Sequence, residues 1–142
     1  MMNDVDLLSH VYQTAEMGQE GIRSVLKYST NPGLNSALLR QEEEYRKLQR
    51  SAGTMLRDRG VEPEGVGTMA KLSSEMMSTM KTMMDPSATK IAEMMIQGST
   101  MGVTKSLRTI RDCETADKPV RELAEKLLKT EQANIEEMKG FL

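Results

Sequence analysis

Apolar residues return every three or four positions along most of this chain, over segments of more than about twenty residues, and no stretch alternates apolar with polar. A 3.6-residue period puts positions i, i+4 and i+7 on one face, whereas a strand needs a period of two, so these stripes predict helices packed on helices. From Asp4 to about Ser29, Leu8, Val11, Ala15, Gly18, Ile22 and Val25 share a stripe. Asn31 and Pro32 then supply an N-cap and a proline at the first helical position, and Gly60 closes a second helix whose stripe runs through Leu34, Leu38, Tyr45, Leu48, Ala52, Met55 and Leu56.

The loop GVEPEGVG, residues 60 to 67, is too rich in glycine to be helical. A shorter helix is expected at about 68–84. Asp85-Pro86 repeats the cap-plus-proline signal before a long helix to about Asp112, and Asp117 is placed to cap a last one with Pro119 in its first turn. The expectation is one all-α domain over residues 1–142, with helices at about 4–29, 32–59, 68–84, 86–112 and 118–141. The long helices would each span roughly 40 Å, which is bundle geometry.

Short connections join the first two long helices and the last two, so each pair should form an antiparallel hairpin. Residues 60–85 are longer than a simple turn needs. They suit a crossover along the bundle, giving an up-down, crossover, down-up order; a five-helix array is the alternative.

Composition narrows the function classes. The chain has 142 residues, 19 Lys plus Arg against 21 Asp plus Glu, no Trp and one Phe, Phe141. Interleaved charge without stacking aromatics argues against nucleic acid. One cysteine, Cys113, excludes an internal disulfide and a thiolate cage, and suits a reducing compartment. No apolar run of membrane-spanning length occurs, and MMNDVDLL lacks the cationic start of a secretory signal, so a cytoplasmic protein is expected.

Four stretches, AEMGQEGI, RQEEEYRKL, IAEMMIQGSTMG and RELAEKLLKTEQANIEEM, one per long helix, place polar residues on or beside the apolar stripes. With two hairpins and a long crossover, the chain resembles the uncharacterised bacterial ferritin-like four-helix-bundle domains. That resemblance implies a carboxylate-rich di-metal centre in the core, built from two glutamates and two Glu-x-x-His pairs. The matching positions here are Glu16, Glu44, Glu93 and Glu131, which would hold iron or manganese. The pattern departs where Glu131 is followed by Asn134 instead of His, and the one histidine, His10, belongs to no Glu-x-x-His. The structural alternative is that Gln19, Gln41, Tyr45, Glu131 and Asn134 form an interior hydrogen-bond network without metal.

In the third long helix, Glu93, Gln97, Thr100 and Thr104 form a polar strip between two apolar faces, one through Ile91, Met94, Met95, Gly98 and Gly102, the other through Ile96, Val103, Leu107 and Ile110. The helix is therefore expected to be buried on two sides, with the glycines allowing close approach. Cys113 is expected near its exposed end.

Fourteen methionines are present, and Met69, Met76, Met80 and Met83 share one face of the short helix. The face fits core filling, an adaptable partner surface, or a Cu(I) thioether site at Met76, Met80 and Met83. Ser9 and His10 are adjacent and cannot pair as nucleophile and base, and GVEPEGVG lacks the phosphate-loop lysine. With that resemblance, the expectation is a non-catalytic or degenerate ferritin-like bundle without a cofactor, serving as a structural or protein-interaction module whose partner is itself, as a homodimer, or another protein. The alternative is an iron or manganese storage or redox protein.

Overall fold

The computed structural model describes residues 3–65 and 87–142; the Met-rich helix expected at 68–84, with Met69, Met76, Met80 and Met83, lies outside them, as do Asp85 and Pro86. The described residues form four helices and no strand: α1 Asp4–Leu26, α2 Pro32–Asp58, α3 Ala88–Asp112 and α4 Lys118–Lys139. None is long and apolar enough to cross a membrane.

The caps follow local chemistry. Asn3 and Asp6 close a capping box at the start of α1, and Asn31 Oδ1 accepts from Leu34 N–H at 2.9 Å ahead of Pro32. At α3 the cap is Ser87, whose Oγ accepts from Lys90 N–H at 3.3 Å, so the helix starts two residues later than the Asp85-Pro86 signal suggests. Asp117 precedes α4 but makes no side-chain cap bond. Its carboxylate faces Arg59 Nη2 at 3.3 Å instead, while its N–H donates to Asp4 Oδ1 at 2.8 Å.

That cluster fixes the topology. Arg59 Nη2 also reaches Asp4 Oδ2 at 3.2 Å, so the start of α1, the end of α2 and the start of α4 meet at one end of the bundle. At the other end Thr89 Oγ1 donates to the Phe141 carbonyl at 3.4 Å, and the Phe141 ring lies beside Gly33. Helices α1 and α4 therefore run one way and α2 and α3 the other. The link from α2 to α3 joins opposite ends, the order expected of two hairpins and a crossover.

The stripes meet in one core. Leu8, Val11, Ile22, Val25, Leu34, Leu38, Leu56, Ile91, Val120, Leu127 and Met138 are buried. Helix α1 packs along α2 and α3 along α4, with α1 also touching α3 and α4. The second apolar face of α3 is only partly covered: Ile96, Val103 and Ile110 are half-buried and Leu107 is 52% exposed, because no described helix packs outside it. Cys113, expected near the surface, is fully buried, and burial pushes its thiol pKa up.

Gly60 ends α2 in a left-handed conformation with φ of 74°, and a Cβ there would meet nothing within 4 Å. The cost of a side chain is thus purely conformational. Gly60→Ala is expected to lose about 1 kcal/mol in urea unfolding; an unchanged midpoint would contradict the left-handed assignment.

Candidate functional site: a groove floored by a buried carboxyl

Between α1 and α3 runs a groove of about 580 Å³ whose floor includes Gln41, Tyr45 and Glu131. Its mouth is open, since Gly98, Thr100, Met101, Thr104, Lys105 and Arg108 on α3 are all exposed. Four glycines, Gly18, Gly21, Gly98 and Gly102, and four methionines, Met17, Met94, Met95 and Met101, line it.

Helix periodicity carries Glu131 inward with Val120, Leu127 and Met138, leaving it 3% exposed. Space for its carboxyl exists because α3 presents Gly102, where a Cβ would overlap Glu131 Oε2. Oε2 accepts from the Tyr45 hydroxyl at 3.5 Å, the outer limit of a hydrogen bond, and Oε1 has no partner. Desolvation pushes the Glu131 pKa up to about 8, only partly offset by Tyr45, and burial next to Glu131 raises that of Tyr45. Glu131 is therefore largely a neutral acid at pH 7. One turn along, Asn134 is 6% exposed and its Nδ2 is also unpartnered.

The polar residues expected to form one network are all buried, but they divide among three seams. Gln19 Nε2 donates to Gln49 Oε1 at 2.5 Å and to the Ala15 carbonyl at 3.2 Å, between α1 and α2. Gln41 Nε2 donates to Glu137 Oε1 at 2.8 Å, between α2 and α4. Tyr45, Glu131 and Asn134 form the central group, with Ser99 also facing the Tyr45 hydroxyl.

The four carboxylates Glu16, Glu44, Glu93 and Glu131 do not converge. Glu44 and Glu93 are exposed and pair with Lys47 and Lys90 at 3.4 and 3.3 Å. Glu16 is half-buried, beside Gly65, with Oε2 unpartnered. The helical register turns Glu44 and Glu93 outward, and no group of three His, Cys, Asp or Glu gathers among the described residues. The polar strip on α3 likewise faces water: Glu93, Gln97, Thr100 and Thr104 are exposed, and the two threonines bond back to Ile96 and Thr100 carbonyls at 2.7 and 3.0 Å.

His10 has a role that sequence spacing did not show. It is 7% exposed, with Nε2 2.8 Å from Ser106 Oγ and Nδ1 3.3 Å from Thr14 Oγ1, tying α1 to α3 just beyond the groove. Desolvation, helped by Lys105, lowers its pKa to about 4, so the ring is neutral. Ser106 has no exposure, so this pair is sealed from any substrate. Nothing in sequence signals the contact, because the partners lie 96 residues apart.

These features define an all-helical bundle with an uncharged carboxyl at the floor of an open, methionine-lined groove. No family model and no curated protein matches the sequence. Among solved structures the chain is similar to a DUF305 fragment from Deinococcus radiodurans, with a TM-score of 0.76 and 18% identity over 96% of this chain and 93% of that one. It is also similar to the conserved hypothetical protein rv2844 from Mycobacterium tuberculosis, with a TM-score of 0.73 and 18% identity over 98% of this chain and 96% of that one. The likeness shows a shared four-helix fold.

Two predictions follow from the floor. Gly98, where a Cβ meets nothing within 4 Å, and Gly102, where it meets Glu131, should respond oppositely to alanine. Gly98→Ala should stabilise by about 0.5 kcal/mol through helix propensity, and Gly102→Ala should cost roughly 1 kcal/mol as the carboxyl is displaced; equal shifts in thermal unfolding would refute the contact.

The second concerns pH. Folding raises the Glu131 pKa from 4.5 to about 8, so its contribution is complete below pH 4.5 and is lost as pH rises to about 8. Folding lowers that of His10 from 6.5 to about 4, so its contribution is complete above pH 6.5 and is lost as pH falls to about 4. Glu131→Gln stays neutral throughout. Its stability relative to wild type should therefore grow with pH between 4.5 and 8 by about 1.4 kcal/mol per unit. Parallel pH profiles in urea unfolding at pH 5, 6.5 and 8 would show that Glu131 is not buried as a neutral acid.

Proposed function

We propose that this is a non-catalytic, degenerate ferritin-like bundle that works as a binding module, with the groove between α1 and α3 as its site. The observation that carries the reading is Glu131: 3% exposed, one carboxyl oxygen unpartnered, at the floor of a cavity of ligand size. Buried polar atoms without partners are uncommon, and this one lies directly beneath a groove of ligand size. The methionines suit such a role because an unbranched thioether adapts to varied apolar shapes.

Iron or manganese chemistry is a poor fit to the residues present. Beside Glu131 stand a phenol, an amide and a serine, and the other three candidate carboxylates are elsewhere. A neutral acid without a second carboxylate or an imidazole is a weak donor set for either ion. Self-association has a candidate surface around the exposed Leu107 on α3.

Nile red, an uncharged dye that brightens in apolar sites, tests the groove. The wild type should bind it saturably. Gly98→Phe, which enters open space and should leave the circular dichroism unchanged, should weaken binding about tenfold or more. No saturable binding by the wild type, or unaltered binding by the variant, would reject the site.

A further inference from the structure

We propose that the groove is selective for a single-chain amphiphile with an acidic head, a monomeric long-chain carboxylate, whose head lies at Lys105 and Arg108 and whose tail runs toward Met94. This rests on the groove being the binding site and adds the chemistry of its occupant.

The lining is segregated by charge along its length. Helices α1 and α3 are antiparallel, so Thr14 and His10 lie beside the segment that carries Lys105 and Ser106, whereas Met17, Gly18 and Gly21 lie nearer Met94 and Gly98. One end therefore holds Thr14, Thr104, Lys105 and Arg108. Neither cation has an ion-pair partner among the described residues, unlike Arg23, Arg40, Arg46 and Arg59. The one acid lining the far part, Glu20, is already held by Arg23 at 2.9 Å. Two cations without an ion-pair partner among the described residues would complement an anion, and the rest of the groove offers thioethers and glycine backbone.

Length agrees with this assignment. Met94 to Arg108 covers fourteen helical steps, roughly 21 Å. A membrane acyl chain is about 15 Å long, half of the roughly 30 Å hydrocarbon core, so a chain and its head fit end to end. The glycines keep the path clear: a side chain at Gly98 would project into space that the tail needs. Glu131 stands opposite Gly102, one turn from Lys105. As a largely neutral acid it does not repel an anionic head. A cationic amphiphile would meet Lys105 and Arg108 unfavourably.

The test uses the full chain and three competitors of equal length below their micelle concentrations: dodecanoate, dodecanol and dodecyltrimethylammonium, each displacing Nile red. Dodecanoate should displace about tenfold more tightly than the other two, and added salt should weaken it but not dodecanol. In the double variant Lys105→Glu and Arg108→Glu the cationic competitor should become the tightest of the three. If that variant does not fold, Lys105→Gln with Arg108→Gln should lose the preference for dodecanoate. Equal displacement by all three, or an order unchanged by the substitutions, would overturn the proposal while leaving the groove intact. Binding to anionic vesicles that dodecanoate cannot compete away would overturn it in favour of a membrane surface. A wild type that fails to bind Nile red would instead remove the groove reading on which the proposal stands.

Discussion

The burial of the Glu131 carboxyl organises the centre of this bundle. A charged carboxylate is too costly to bury without partners, so the group is held as an acid, and the packing around it is set by its size. It occupies the space left by Gly102 on α3 and receives the Tyr45 hydroxyl from α2. The Tyr45 ring in turn lies where a side chain at Gly18 on α1 would be, with ring atoms 2.6 to 2.7 Å from that Cβ position. One line of contacts therefore passes through all four helices. Each of its two glycines accommodates a larger group from a neighbouring helix.

The bundle ends perform a different task. Arg59, between Asp4 and Asp117, gathers three helix termini, and the Asp117 N–H bond to Asp4 holds the turn before α4 against the start of α1. The Asp4 carboxyl is kept below its usual range, chiefly by that backbone hydrogen bond. A solvent-facing ion cluster of this kind adds little free energy, but it helps discriminate among bundle topologies. Apolar stripes alone would tolerate several helix orders; the polar ends favour this one.

This division of labour explains what could be read from sequence. Stripes such as Leu8, Val11, Ala15, Ile22 and Val25 record their burial in their spacing, and Asn31-Pro32 records a helix start in local chemistry, so the four helices and their inward faces were legible. The inward turn of Glu131 and Asn134 was legible for the same reason. Partners across the bundle were not. Glu44 and Glu93 sit near stripe margins, where a small rotation decides between core and water, and both face water. Gly98 and Gly102 look equivalent in sequence, yet one borders open space and the other receives a carboxyl. The cap on α3 was misread because Ser87 follows a stronger-looking signal, and the side chain of Asp117 is engaged by Arg59 from another helix.

The same centre also bears on how a four-helix bundle can bury an acid at its axis. A di-metal site requires several anionic or imidazole donors turned to one point, and the cation offsets their mutual repulsion and desolvation. Here a single carboxyl meets a phenol and an amide, and protonation offsets the cost of its burial. Helices α1 and α3 are tied at one level by His10 and Ser106, and the groove between them is lined by Gly18 and Gly98 above Tyr45 and Glu131. One largely neutral acid at the centre thus lies beneath an open groove on the bundle's flank.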